Sequence, residues 1–192
     1  MATTEAQQVN LDLSDAMIFA RHGDVDKCSP DRNDRGLADD EKNRASIVGV
    51  ALSQLGVDLS NVRSSPLIRA EETVLAQKSK QAIALTDNRL SEVPYSRPAI
   101  IAQLFIGRVP KAHQESGRSV LRAVMANEMN GYSVTHNGVI AGMRKVIDEF
   151  PELNLASYTI TKDGDVARER PRSKLRRSLI MKNLAFIAIS RV

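Results

Sequence analysis

The 192-residue sequence contains a single cysteine, Cys28, and no tryptophan; three tyrosines and four phenylalanines are its only aromatic side chains. Each shortage excludes something. One cysteine closes no internal disulfide and builds neither a thiolate zinc site nor a Cys-x-x-Cys redox pair. Aromatics at 4% leave little surface for stacking bases, so a platform for single-stranded nucleic acid is not expected. No apolar run approaches the ~18 residues that span a bilayer. Met1 to Asp15 is polar and acidic, without the basic and apolar segments of a signal peptide. A cytoplasmic protein with no membrane partner is expected. Neither sign of charge dominates: 27 Lys and Arg stand against 23 Asp and Glu, a net +4. A dedicated duplex binder shows a stronger, clustered excess. The mild bias suits small anions such as phosphates better than nucleic acid.

Hydrophobic residues at 42% and charged residues at 26% are ordinary for a globular chain. One domain over residues 1–192 is expected, large enough to bury a core without staples. Asp15 to Ala20 is a continuous apolar run and reads as a buried strand. It ends in Arg21-His22-Gly23-Asp24, and Val25 to Asp40 has loop chemistry. A helix follows over about Ala38 to Leu55, with Ala45, Val48, Ala51, Leu52 and Leu55 at helical spacing and Gly56 as a stop. Asn61 to Ser64 reads as a second strand, and Ser65-Pro66 as the cap and first position of a helix running to about Ser79. Gln81 to Thr86 is a third strand, followed by a proline-interrupted stretch with a short helix near Ala99 to Ile106. The pattern continues as a helix over Ser116 to Asn130, a strand at Tyr132 to Thr135, a helix after His136-Asn137-Gly138, and a strand at Leu155 to Thr161. Ala167 to Arg177 packs six basic residues against one acid, and the apolar Leu184 to Ile189 beyond it reads as an edge strand. Strands alternating with helices imply an α/β fold: a three-layer sandwich, its central sheet mostly parallel, with helices on both faces.

In such sheets ligands bind beyond the carboxyl ends of the strands. Arg21 and His22 follow the first strand, Arg69 lies in the first turn after the second, and His136 follows the Tyr132 strand. A lone histidine at a strand end is usually just hydrogen-bonded, and a lone arginine in a first helical turn is usually solvated. Two of each at one edge make an anion pocket. Arginine forks match phosphate oxygens in bidentate fashion, and the helix after Asn137 would add free backbone amides.

Ile18 to Gly23, with its Arg21-His22-Gly23, resembles the signature of the histidine phosphatase superfamily, of which the cofactor-dependent phosphoglycerate mutases are members. Ser64 to Thr73, Leu90-Ser91-Glu92 and Val134 to Ile140 resemble that family's later motifs, in order and spacing from about Met17 to Thr161. The resemblance implies a nucleophilic His22 that becomes a phosphohistidine, phosphate binding by Arg21, Arg69 and His136, and proton transfer by Glu92. It implies no cofactor and no metal, because cationic side chains meet the phosphate charge. Two features depart from the pattern. Val93-Pro94-Tyr95 follows Glu92 in place of a Gly and Trp-Glu-Gly segment, which makes Asp24 a fallback acid, and Asn137 replaces a glycine and is read as an N-cap.

Compact phosphohistidine phosphatases lack an inserted acid, since imidazole leaves phosphorus without help while an alkoxide needs a proton. The insertion here, about 87–115, carries Glu92 and favours a phosphomonoester substrate. It is expected to cap the pocket, with Arg97, Arg108, Lys111 and His113 either solvated or meeting a second anionic group. A phosphohistidine protein phosphatase and a phosphate-binding regulatory module with little turnover are the alternatives. The partner is a small phosphorylated substrate or a phosphoprotein, and the basic tail, about 167–192, is expected to be solvated or to flank the site.

Overall fold

The structure, a computed structural model, describes residues 13–26, 35–78, 83–92, 109–161, 163–168 and 184–192. Seven strands form one sheet: β1 (Met17–Arg21), β2 (Asn61–Ser64), β3 (Ile83–Thr86), β4 (Tyr132–Thr135), β5 (Leu153–Ile160), β6 (Val166–Arg168) and β7 (Leu184–Arg191), in the order β3-β2-β4-β1-β7-β5-β6. The four strands from β3 to β1 pair in parallel, and β7, β5 and β6 continue the sheet antiparallel.

The apolar runs of β1, β4 and β7 are continuous because both faces of the sheet are covered. Ile18 and Ala20 of β1 enter one core, with Val62, Tyr132, Val134, Phe186 and Ala188. Met17 and Phe19 enter the other, with Ile187 and Ile189. Helices α1 (Asp39–Gln54) and α2 (Ile68–Gln77) close the first core through Val48, Leu52, Ala70 and Val74. Helices α3 (Lys111–Met125) and α4 (Asn137–Val146) close the second through Val120, Leu121, Val139 and Met143. This is the expected three-layer α/β sandwich.

Four local expectations are corrected. The strand at Leu184 is not an edge strand: β7 lies inside the sheet between β1 and β5, with Ile18 opposite Ala188 and Tyr158 opposite Phe186. Its apolar residues are spent on two cores at once. Helix α2 begins at Ile68, with Leu67 as its N-cap, so Ser65 does not cap it. Helix α3 begins at Lys111, five residues before Ser116, and ends at Met125. In α4 the N-cap position is His136, and Asn137 is the first helical residue. Cys28, the short helix near Ala99, Arg97, Arg108 and the basic run beyond Arg168 lie outside the described residues. Among the described residues no helix is long and apolar enough to cross a membrane.

Candidate active site

Parallel register brings the candidate residues to one edge. Arg21 is opposite Thr135, Ser64 is opposite Val134, and Ser64 is also opposite Thr86. The carboxyl ends of four strands are therefore level. The ladder runs one residue further at three of them: His22 N–H donates to Thr135 O at 3.0 Å, Ser65 N–H to Val134 O at 3.0 Å, and Asp87 N–H to Ser64 O at 2.8 Å. Backbone pairing thus fixes where His22, Ser65 and Asp87 leave the sheet, and His136 leaves it next to them at the end of β4.

His22 is buried, and its Nδ1 lies 2.5 Å from the carbonyl oxygen of Gly23. A carbonyl only accepts, so Nδ1 carries the proton and Nε2 keeps its lone pair. The Gly23 peptide is itself held: its N–H donates to Thr73 Oγ1 at 3.1 Å, and the Thr73 hydroxyl donates to Arg69 O at 2.7 Å. Arg69 and Thr73 are one helical turn apart on α2, so a single turn presents the guanidinium and steadies the histidine loop. The ring of His136 stands 4.8 Å from that of His22, tilted by 58°. Its Nε2 is 2.8 Å from Ser65 Oγ, and its Nδ1 has no hydrogen-bond partner among the described residues.

Both imidazoles are held neutral. Burial lowers His22 from 6.5 to about 3; the Gly23 hydrogen bond opposes this, and the charges of Arg21 and Arg69 add to it. Burial lowers His136 to about 2, helped by His22, Arg69 and Arg21. The fold is consequently sensitive to acid. Between these values and 6.5 the unfolded chain binds more protons than the folded one, so stability falls as the pH drops below 6.5. Each ring contributes up to ~1.4 kcal/mol per pH unit. Urea midpoints measured from pH 7.5 down to pH ~4.5 should fall steeply in the wild type and much less in the His22→Gln, His136→Gln double variant. Equal slopes would refute the burial of two neutral rings.

The charged groups complete the cluster. Arg21 Nη2 donates to Asp24 Oδ1 at 3.0 Å, at the mouth of the loop. The buried Arg69 guanidinium donates to the Glu92 carboxylate, which is partly exposed. The structure therefore brings Arg21, His22, Arg69, Glu92 and His136 to one edge. Glu92 is placed by a locked turn. Asp87 accepts from Arg89 N–H at 2.9 Å and Arg89 Nη2 at 2.8 Å, and Thr135 Oγ1 donates to the carbonyl of the buried Leu90 at 2.8 Å. Burial alone would raise the Asp87 carboxyl, but the Arg89 hydrogen bonds and the charges of Arg89 and Arg63 hold it below the usual range. Lys111 is exposed at the start of α3, as the solvated alternative has it, whereas His113 is buried, its backbone packed against Gly142. Thr73, Thr135 and Asp87 also hold the site together, and the sequence pattern marks neither Thr135 nor Asp87. Thr73 alone left a signal, one turn beyond Arg69.

No family model matches the sequence, and no curated protein matches it. Solved structures do match. Phosphoserine phosphatase from Entamoeba histolytica, in complex with 3-phosphoglyceric acid, superposes with a TM-score of 0.53 at 16% identity, over 83% of this chain and 98% of that one. YhfR from Bacillus stearothermophilus gives 0.54 at 17% identity, over 71% and 81%. The chain shares its fold with both. In this fold the edge that gathers Arg21, His22, Arg69 and His136 is the carboxyl edge of the parallel strands, where open α/β sheets bind ligands.

Proposed function

We propose that the protein is a metal-independent phosphatase that hydrolyses a phosphomonoester through a phosphohistidine on His22. One observation carries this reading: a neutral, buried histidine with Nδ1 tied to Gly23 O and no hydrogen bond at Nε2 among the described residues, beside a second histidine and the Arg69–Glu92 pair. A protein of the same fold, a phosphoserine phosphatase, supports it. Arg21, Arg69 and His136 hold the phosphoryl oxygens, and their worth grows as charge builds in the transition state. The Nε2 lone pair attacks phosphorus, the bond to the leaving oxygen breaks, and that oxygen takes a proton from Glu92. Water then attacks the phosphohistidine and gives a proton to Glu92, and the bonding pair returns to Nε2 as phosphate departs. Phosphate competing for Arg69 releases the Glu92 carboxylate from its ion pair, and the carboxylate takes up a proton, from a monoanionic substrate or from water, before it gives one to the leaving oxygen.

Leaving groups test the assignment. Glu92→Gln should lower turnover of an alkyl phosphate such as phosphoserine by about 10²–10⁴-fold. It should spare a phosphohistidine peptide, whose imidazole leaves unaided. The opposite ranking, or hydrolysis of the peptide alone by the wild type, would replace this reading with a phosphohistidine protein phosphatase. Phosphate binding with no hydrolysis of either substrate would leave a regulatory module.

A further inference from the structure

Ser65 is fully buried, and its hydroxyl is the one side-chain partner that His136 has among the described residues. Ser65 Oγ also accepts, weakly, from Leu67 N–H at 3.4 Å. This hydroxyl has one proton to give, and a neutral imidazole has one N–H. The two arrangements can be compared by the groups they leave unsatisfied. If His136 Nε2–H donated to Ser65 Oγ, the serine proton would have no acceptor among the described residues, and the Nδ1 lone pair would be buried without a donor. If Ser65 Oγ–H donates to Nε2, the serine is fully used and a single group is left over, an N–H at Nδ1. Each buried group left without its hydrogen bond is costly, so the arrangement that leaves one such group wins over the one that leaves two.

We propose that Ser65 is a positioning residue that holds His136 in the Nδ1–H tautomer, making Nδ1 a ready donor for a phosphoryl oxygen. The proposal rests on the phosphatase reading for the identity of the anion. Burial keeps the ring neutral, so its tautomer, not its charge, decides whether it donates. A lone pair at Nδ1 would repel an oxyanion that Arg21 and Arg69 attract. The left-over N–H is therefore a buried donor of the cluster, without a partner among the described residues, that an anion would satisfy, and Ser65, on the loop between β2 and α2, is what leaves it over. This also accounts for the late start of α2. Ser65 turns its hydroxyl proton to a histidine 71 residues away, and its oxygen takes only a weak bond from the N–H of Leu67, the N-cap residue of the helix.

Nitrogen NMR on histidine-labelled protein reads the tautomer directly. The sequence has three histidines, and loss of a signal in His136→Gln assigns the one of interest. The wild type should show a protonated Nδ1 and a hydrogen-bonded, unprotonated Nε2 at His136. Ser65→Ala should move the population toward Nε2–H and weaken binding of inorganic phosphate and vanadate by about tenfold. In the His136→Gln background the same substitution should cost no further affinity. A wild-type Nε2–H tautomer overturns the proposal, whether or not the variant folds. So does an unchanged tautomer in Ser65→Ala, or an equal loss of affinity in the His136→Gln background. Absence of hydrolysis by a protein that shows the expected tautomer and phosphate affinity would count against the phosphatase reading alone.

Discussion

His22→Ala is expected to lower phosphate release by about 10⁴-fold or more while inorganic phosphate still binds. The size of the loss matters more than its sign. A histidine that only donates a hydrogen bond to a charged ligand contributes about 1.5–3 kcal/mol, which is ~10²-fold at most. A nucleophile whose removal abolishes the covalent route costs far more. The geometry supports the larger figure. The Gly23 carbonyl consumes the Nδ1 proton and burial keeps the ring neutral to about pH 3, so the Nε2 lone pair is available throughout the neutral range. Wild-type protein mixed with labelled substrate and quenched in alkali should carry a phosphoryl label that acid removes, as expected for a phosphorus–nitrogen bond. His22→Ala should carry none. A loss of only ~10²-fold, with phosphate binding weakened in step, would make His22 a binding residue and Glu92 the base for direct attack by water.

The parts of this site that follow a strand directly were legible in sequence. β2 and β4 run over the expected Asn61–Ser64 and Tyr132–Thr135, and β1 ends at Arg21, one residue past the expected Ala20. Apolar runs mark such strands, and the polar residue after each run must sit at the sheet edge. Arg21, His22 and His136 could thus be placed together before any geometry was known. What escaped was set by partners far away in the chain. Ser65 reads locally as a helix cap, and the local reading failed because His136 competes for its hydroxyl. Leu184 to Ile189 follows a basic stretch and reads as peripheral, yet pairing with β1 on one side and β5 on the other makes it interior. The alternation of Phe186 and Ala188 with Ile187 and Ile189 between two cores carried that information, because only a strand covered on both faces can spend every side chain on apolar contacts. Thr135 and Asp87 lock the turn before Glu92 through contacts with Leu90 and Arg89, which no spacing rule anticipates.

Gly142→Ala should lower stability by about 3 kcal/mol, although alanine is the better helix former. Helix propensity alone favours the substitution by about 0.8–1 kcal/mol. Helices α3 and α4 cross in backbone contact, however. A Cβ at Gly142 would lie 1.8 Å from the carbonyl oxygen of His113 and 2.7 Å from its carbon, where ordinary contact begins at 3.4 Å. The facing Gly117 is equally tight, with a Cβ there 2.3 Å from the carbonyl carbon of Gly142. Neither obstacle is the movable end of a side chain, so the axes must part by more than 1 Å (roughly the shortfall in contact distance). Parting them loosens Val120, Leu121, Val139 and Met143, which close one face of the sheet. The same movement reaches the site, because His136 is the N-cap residue of α4. Urea denaturation of Gly142→Ala should show a lower midpoint at an unchanged slope, and phosphate affinity should fall with it. An equal or higher midpoint would mean that the two helices do not meet at these glycines. The second core, and the seat it gives to His136, would then need another explanation.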